Sequence, residues 1–169
     1  MPSGQLDDTI WRALVTLCDA AYEEPTAPFF ADVGAGVHVL ALDDDALVAH
    51  AMWVTRDLQS PGHAAWSTAY VELVATHPTH QRRGYATAVL RALAEQVRDF
   101  DLAALSPSDP AFYARLGWEP WRGPLSVRTA DGLASTPEEE IMILRLPRTP
   151  ASLDVDAPLS VEWRPGEVW

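Results

Sequence analysis

From Asp7 to Tyr22 the apolar residues Ile10, Trp11, Leu14, Leu17, Cys18 and Ala21 recur at spacings of three and four, the stripe of an amphipathic helix. Asp7 and Asp8 stand where a helix start needs side-chain acceptors. Residues 23–36, with two prolines and Phe29-Phe30, predict a loop or a short helical turn. The period then shortens. Val37–Leu42 and Ala46–Thr55 flank Asp43-Asp44-Asp45 and read as a β-hairpin. A Ser/Pro/Gly loop at Gln59–His63 leads into a strand over Ala65–Thr76.

A second helix is expected over Gly84–Phe100, with Val89, Leu90, Leu93 and Val97 on its buried face. Ala103–Leu105 reads as a short strand. Asp109–Leu116 reads as a short helix, with Asp109 and Pro110 suited to the cap and first position and Gly117 to the stop. Trp118–Trp121 begins another strand, Thr129–Glu140 is a polar loop, and Ile141–Leu146 is again strand-like. The tail, Pro147–Trp169, is expected to be irregular and Pro-rich, with Trp163 and Trp169 docking on something. There is no internal repeat, low-complexity segment or composition break, so residues 1–169 are expected to form a single domain.

Composition narrows the function. With 48% hydrophobic residues the chain can bury a proper core. No window approaches the roughly 18 apolar residues of a membrane span. The first residues lack the basic and apolar regions of a leader. A cytoplasmic protein with no membrane partner is expected. The one cysteine, Cys18, excludes an intramolecular disulfide and reads as packing. Acidic residues number 24 against 12 basic ones, a net charge of −12, and every basic residue is arginine. Nucleic acid is therefore not an expected partner.

The arginines are unevenly placed. Arg82, Arg83, Arg91 and Arg98 crowd into residues 82–98, whereas residues 131–169 carry eight acids against three arginines. One face is suited to an anionic cofactor and another to a cation, although acids on a surface also simply maintain solubility. The five histidines read as structural or surface residues. His77 and His80 have a proline between them and no third ligand, so no metal is expected.

The densest chemistry lies in Tyr70–Leu90. An apolar strand is interrupted by one carboxylate, Glu72, and breaks at His77-Pro78; Gln81-Arg82-Arg83-Gly84-Tyr85-Ala86 then opens a helix. The first turn of a helix leaves backbone N–H groups unpaired and favours anions. Two guanidinium groups there are misplaced unless an anion such as a phosphate is bound. A strand feeding a helix with basic residues in its first turn also occurs in proteins that bind nothing there, and pattern alone leaves both readings open.

The Gln81–Ala86 turn fits the GNAT acetyltransferase pattern of Gln or Arg, two variable residues, Gly, one variable residue, then Gly or Ala. With Phe112-Tyr113-Ala114-Arg115-Leu116-Gly117-Trp118, the chain resembles that superfamily. The Tyr70-Val71-Glu72 strand, Trp118-Glu119-Pro120-Trp121, the Thr136-Pro137-Glu138-Glu139-Glu140 loop and the ending Gly166-Glu167-Val168-Trp169 are similar, in order, to the aminoglycoside 2′-N-acetyltransferases. The resemblance runs from about Val37 to Trp169.

It implies an α/β (α+β) GNAT fold, with a central, mostly antiparallel sheet splayed at the acetyl-CoA site. It further implies a homodimer and a polycationic aminoglycoside substrate. The backbone of Val74, Ala75 and Thr76 would pair with the pantetheine arm, and Gln81, Arg82, Arg83, Gly84, Tyr85 and Ala86 would hold the pyrophosphate. Glu72 would be the general base, acting through a water; as a residue type it also suits an ammonium binder or a strand position without a role. Tyr113 would stand near the coenzyme A sulfur, where a phenol of pKa ~10 can return a proton; it also suits a core aromatic beneath Trp118.

Substrate contacts would come from Glu24, Glu72, Leu73, Ser106, Glu138, Glu139, Glu167 and Trp169. The chain departs from the family by glutamates where aspartates are usual, and by Phe29 where an acid is expected, with Asp32 nearby.

Overall fold

The computed structural model describes every residue from Met1 to Trp169. The chain gathers into two compact units, Met1–Val54 with Val71–Gln96 and Thr55–Tyr70 with Val97–Trp169.

In the first unit, helix α1 (Asp8–Tyr22) starts where the Asp7 carboxylate accepts the N–H groups of Thr9 and Ile10 at 2.9 and 2.8 Å. Two of the four orphan donors of a helix start are thereby satisfied. The helix buries Leu14, Leu17 and Cys18 and stops at Glu23, whose φ of 59° is left-handed. Helix α2 (Ala27–Val33) occupies the stretch read as a loop or short helical turn; its buried Phe30 meets the Trp11 ring edge-on at 5.0 Å.

The hairpin is present. Strand β1 (Val37–Asp43) pairs antiparallel with β2 (Ala46–Gln59). Asp44 and Asp45 both have positive φ, 47° and 69°, the geometry whose twist matches that of the flanking strands. Strand β2 runs to Gln59 rather than Thr55, and β3 covers Trp66–Thr76. Both strands pass through the two units. Helix α3 (Tyr85–Gln96) ends before the expected Phe100, buries Val89, Leu90 and Leu93, and packs near β1.

The second unit carries β4 (Leu102–Leu105), α4 (Pro110–Ala114), β5 (Glu119–Pro120), β6 (Leu125–Thr129), β7 (Gly132–Ser135), β8 (Met142–Arg145) and β9 (Leu159–Glu162). Its strands follow the order β5-β8-β4-β3-β2-β9-β6-β7. The pairs β3/β4 and β6/β9 are parallel, and β2/β9, β4/β8, β5/β8 and β6/β7 are antiparallel. The architecture is the expected mixed α/β one, with a mostly antiparallel sheet.

Two expectations are corrected here. Part of the polar Thr129–Glu140 segment is strand β7, paired with β6 from Thr129↔Gly132 to Ser126↔Ser135. All four of its residues are exposed, so the strand has no alternation of burial to reveal it. The tail is not wholly irregular either. Within it, β9 pairs with both β2 and β6 and buries Leu159, Ser160 and Val161. Trp163 stays 58% exposed, whereas Trp169 is buried at 3%.

Close backbone packing fixes the start of this unit's tail. A Cβ on Gly123 would lie 1.9 Å from the Ala157 carbonyl oxygen, so no larger residue fits. Beside it Arg122 forks onto the Asp156 carboxylate at 2.7 and 2.6 Å. Further guanidinium pairs join Arg56 to Glu162 at 2.6 Å, Arg145 to Glu119 at 2.5 Å and Arg148 to Asp101 at 3.7 Å. No helix is long and apolar enough to cross a membrane.

Candidate functional site

Strand β3 breaks at the carboxylate that the sequence singles out. Glu72 is buried at 8% exposure, and the next residue, Leu73, has a φ of 50°. A left-handed leucine costs on the order of 1–2 kcal/mol, so its surroundings must hold it. The Leu73 carbonyl accepts from His50 Nδ1 at 2.8 Å. The Val74 carbonyl accepts from the Tyr22 hydroxyl at 3.2 Å. These two side-chain donors brace the backbone at Leu73 and Val74, within a strand that continues to Thr76.

Beyond the break, Ala75 is buried and Thr76 ends the strand. The buried Thr76 Oγ1 has no hydrogen-bond partner within the protein. The His77 N–H donates to the Val48 carbonyl at 2.9 Å, and Pro78–His80 forms one 3-10 turn. Gln81 is extended, Arg82 left-handed at φ 61°, and Gly84 at φ 90°; all of Gln81–Gly84 is exposed. Such alternation turns successive N–H groups to one side, a concavity suited to anions. At Gly84 a Cβ would meet nothing within 4 Å, so glycine serves the backbone angle and not space. Tyr85 and Ala86 open α3 and are half-buried. The turn and the orphaned Thr76 hydroxyl fit an elongated ligand bearing phosphates.

In the second unit Tyr113 lies on α4, capped by Asp109, whose carboxylate accepts the Phe112 N–H at 3.1 Å. Its ring packs edge-on against Phe112 at 5.2 Å and Trp118 at 6.1 Å. Burial pushes the phenol up to about 12, although the Ser108 side chain beside it acts the other way. The group is therefore a proton-bearing donor throughout the physiological range. Ser106 is exposed just past β4.

The acidic loop is exposed, with the Glu139 N–H on the Thr136 carbonyl at 3.2 Å. Glu139 and Glu140 line a cavity of about 570 Å³ that also touches Trp121, Arg122, Thr136 and Met142; Glu138 is not among its walls. The tail comes back to this loop. Trp169 Nε1 donates to Thr136 Oγ1 at 2.8 Å. Arg164 Nε reaches the Glu167 carbonyl, and its Nη2 lies 3.5 Å from the Trp169 main-chain oxygen. Glu24, in the first unit, is exposed directly after α1, and Phe29 is half-buried on α2.

The structure thus groups Glu72, Leu73, Val74, Ala75, Thr76 and the turn in the first unit, and Glu139, Glu167 and Trp169 around the tail of the second. Glu140 on the cavity, Thr136 under the tail, and His50 and Tyr22 on the strand break are additions to the expected set. So is Arg56, 4% exposed, which bonds the Glu162 and Val168 carbonyls at 2.6 and 3.0 Å. His50 and Arg56 could have been flagged as polar residues inside an otherwise apolar strand. No group of three or more His, Cys, Asp or Glu side chains is arranged to hold a metal.

The acetyltransferase (GNAT) domain family matches residues 5–121. The aminoglycoside 2′-N-acetyltransferase of Mycolicibacterium fortuitum is 39% identical over 140 residues, 79% of this chain and 71% of that one. Eis1 of Mycobacterium abscessus aligns in structure with a TM-score of 0.56 and 27% identity, over 64% of this chain and 28% of that chain. The GNAT family N-acetyltransferase YhbS of Escherichia coli in complex with CoA aligns with a TM-score of 0.62 and 14% identity, over 90% and 83% of the two chains.

Proposed function

The chain belongs to the GNAT acetyltransferase family, and on that premise we propose that it moves an acetyl group from acetyl-CoA to the 2′-amine of an aminoglycoside by direct attack in a ternary complex. The observation that carries the reading is the break in β3: a buried carboxylate, Glu72, followed by a left-handed Leu73, in a chain that shares most of its length with an aminoglycoside acetyltransferase.

Aminoglycoside amines are largely protonated near neutral pH and must lose a proton before attack. Glu72 accepts that proton through a water. The N–H of Val74 meets the acyl oxygen as it becomes negative. The backbone of Val74, Ala75 and Thr76 takes the pantetheine arm, and Gln81–Ala86 with Arg82 and Arg83 takes the pyrophosphate. Bond formation to the amine nitrogen and cleavage of the thioester leave a thiolate and an amide. Tyr113 donates a hydrogen bond to that sulfur. Full transfer from a phenol at about 12 to a thiolate, whose thiol resembles cysteine at ~8.5, is uphill, so donation to the leaving sulfur is its main part.

The substrate's ammonium groups are met by Glu24, Glu138, Glu139 and Glu167, with Ser106, Leu73 and Trp169 completing the contacts. The working form is a cytoplasmic homodimer in which residues 1–169 act as one catalytic domain. A second reading, acetylation of a less highly charged amine, is favoured by Phe29 at a position where an acid is expected.

Turnover on aminoglycosides with and without a 2′-amine tests the assignment. Acetylation confined to the 2′-amine supports it; equal rates on both sets, or no turnover on either, would sink the 2′-amine assignment and leave the second reading.

A further inference from the structure

Behind the strand break lies a hydrogen-bonded series that reaches from β3 across two strands to residue 3. His50 Nδ1 is 2.8 Å from the Leu73 carbonyl oxygen, His50 Nε2 is 3.0 Å from His38 Nδ1, and His38 Nε2 is 2.9 Å from Ser3 Oγ. Ser3 Oγ in turn accepts the Gly36 N–H at 2.9 Å and lies 3.0 Å from the Gly36 carbonyl oxygen, a second acceptor for its one proton. His50 is 0% and His38 2% exposed. The two ring centroids lie 5.2 Å apart with 31° between the ring planes, and Phe30 is 6.1 to 6.3 Å from both.

Two proton arrangements satisfy a pair of neutral histidines, and geometry selects one. A carbonyl only accepts, so the proton at this end belongs on His50 Nδ1. His50 Nε2 then offers a lone pair, His38 Nδ1 must donate to it, and His38 Nε2 must accept from the Ser3 hydroxyl. The reverse order would let Cys18 Sγ, 3.8 Å from His50 Nδ1, act as donor, but it would set a nitrogen lone pair against the Leu73 oxygen at 2.8 Å. Every donor in the selected series points toward Leu73. Burial, the chief cause, holds both rings neutral, His38 down to about 4 and His50 to about 3, so the arrangement persists at physiological pH.

We infer that His50 is a positioning residue for acetyl transfer: its Nδ1–H, oriented by His38 and Ser3, holds the Leu73 carbonyl and so maintains the left-handed break that directs Glu72 and the Val74 N–H. The inference rests on the acetyl-transfer reading above, because that reading makes the break the reacting end of β3. A leucine in this conformation is strained, and an extended strand is the lower-energy alternative. Removing the donor removes one side of what opposes that relaxation, leaving the Tyr22 hydroxyl on Val74.

The test uses two substitutions in the full chain. His50→Phe fills the ring space without a donor. His50→Asn replaces Nδ1 with an amide N–H on the same carbon but cannot reach His38. His50→Phe is expected to lower kcat by about tenfold or more while KM for acetyl-CoA and for the amine moves by less than about threefold, and His50→Asn to recover most of the loss. A fall shared equally by both variants, or an unchanged kcat in His50→Phe, overturns the proposal.

A second measurement needs neither substrate nor variant. Long-range proton–nitrogen NMR of the wild-type chain is expected to show the proton on His50 Nδ1; a proton on Nε2 overturns the proposal even if His50→Phe fails to fold. If the wild-type chain acetylates no amine, the acetyl-transfer reading fails, and the same spectrum still decides whether His50 holds the break.

Discussion

The indole nitrogen of Trp169 donates a 2.8 Å hydrogen bond to the hydroxyl of Thr136, and so fastens the end of the tail to the base of the acidic loop. With Trp169 only 3% exposed, this N–H has no easy substitute partner. Thr136→Val is expected to destabilise the protein by roughly 1–3 kcal/mol, read as a lower urea midpoint with an unchanged slope. A midpoint equal to wild type would mean that water satisfies the indole.

Glu72→Gln should lower kcat/KM for the amine by about 10²–10⁴, the usual range for a positioned base, with coenzyme A affinity retained. Raising the pH should return part of the loss, because the substrate amine then arrives deprotonated. Calorimetric titration with coenzyme A separates a lost base from a lost binding site.

For Tyr113 the informative variable is alkaline pH. Its phenol stands near 10 in an unfolded chain and is pushed to about 12 in the fold. Between those values the unfolded chain has released a proton that the native state retains. Stability is thus fully present below pH 10 and falls as pH rises toward 12. Tyr113→Phe should remove that part of the slope in denaturant titrations from pH 9 to 11, and should reduce kcat more than KM.

The buried histidines give the opposite sign. His38 and His50 sit near 4 and 3 in the fold against 6.5 unfolded, so the unfolded chain takes up protons first as the solution is acidified. Their contribution is complete above pH 6.5 and declines as pH falls toward 4 and 3. Unfolding titrations at pH 7, 6 and 5 should show falling stability before most carboxylates titrate. A His38→Asn, His50→Asn double variant should show a shallower decline.

Gly84→Ala tests the turn. A Cβ there has free space, so the whole effect comes from forcing alanine to a φ of 90°. A cost of about 1 kcal/mol or more in stability is expected, together with weaker coenzyme A binding. Unchanged affinity for coenzyme A would count against this turn as the pyrophosphate site.

The elements with strong periodicity were legible in the chain. Helix α1 carried its apolar stripe and Asp7 cap, and the β1–β2 hairpin its aspartate turn. Strands β7 and β9 were not, for opposite reasons: β7 exposes every residue, and β9 buries three of its four. Neither alternates, and four residues are too few to separate a strand from a loop. In the site, Glu72 and the Gln81–Ala86 turn stood out because charge and glycine interrupt regular patterns. His38 and His50 stood in the sequence as structural or surface residues, and their link depends on strand pairing that sets residues 12 apart side by side, which spacing does not encode.

Apart from a His80–Asp43 contact at 3.7 Å, arginine makes the side-chain ion pairs, from the buried Arg56 on Glu162 to the fork of Arg122 on Asp156. Guanidinium groups remain protonated at any pH a protein meets and have no free lone pair to attack a thioester. A chain without a single lysine therefore presents no side-chain amine to acetyl-CoA. An enzyme of this composition can hold an activated acetyl group at its surface without acetylating its own ion pairs, and its charge pattern is unaffected by the reaction it catalyses.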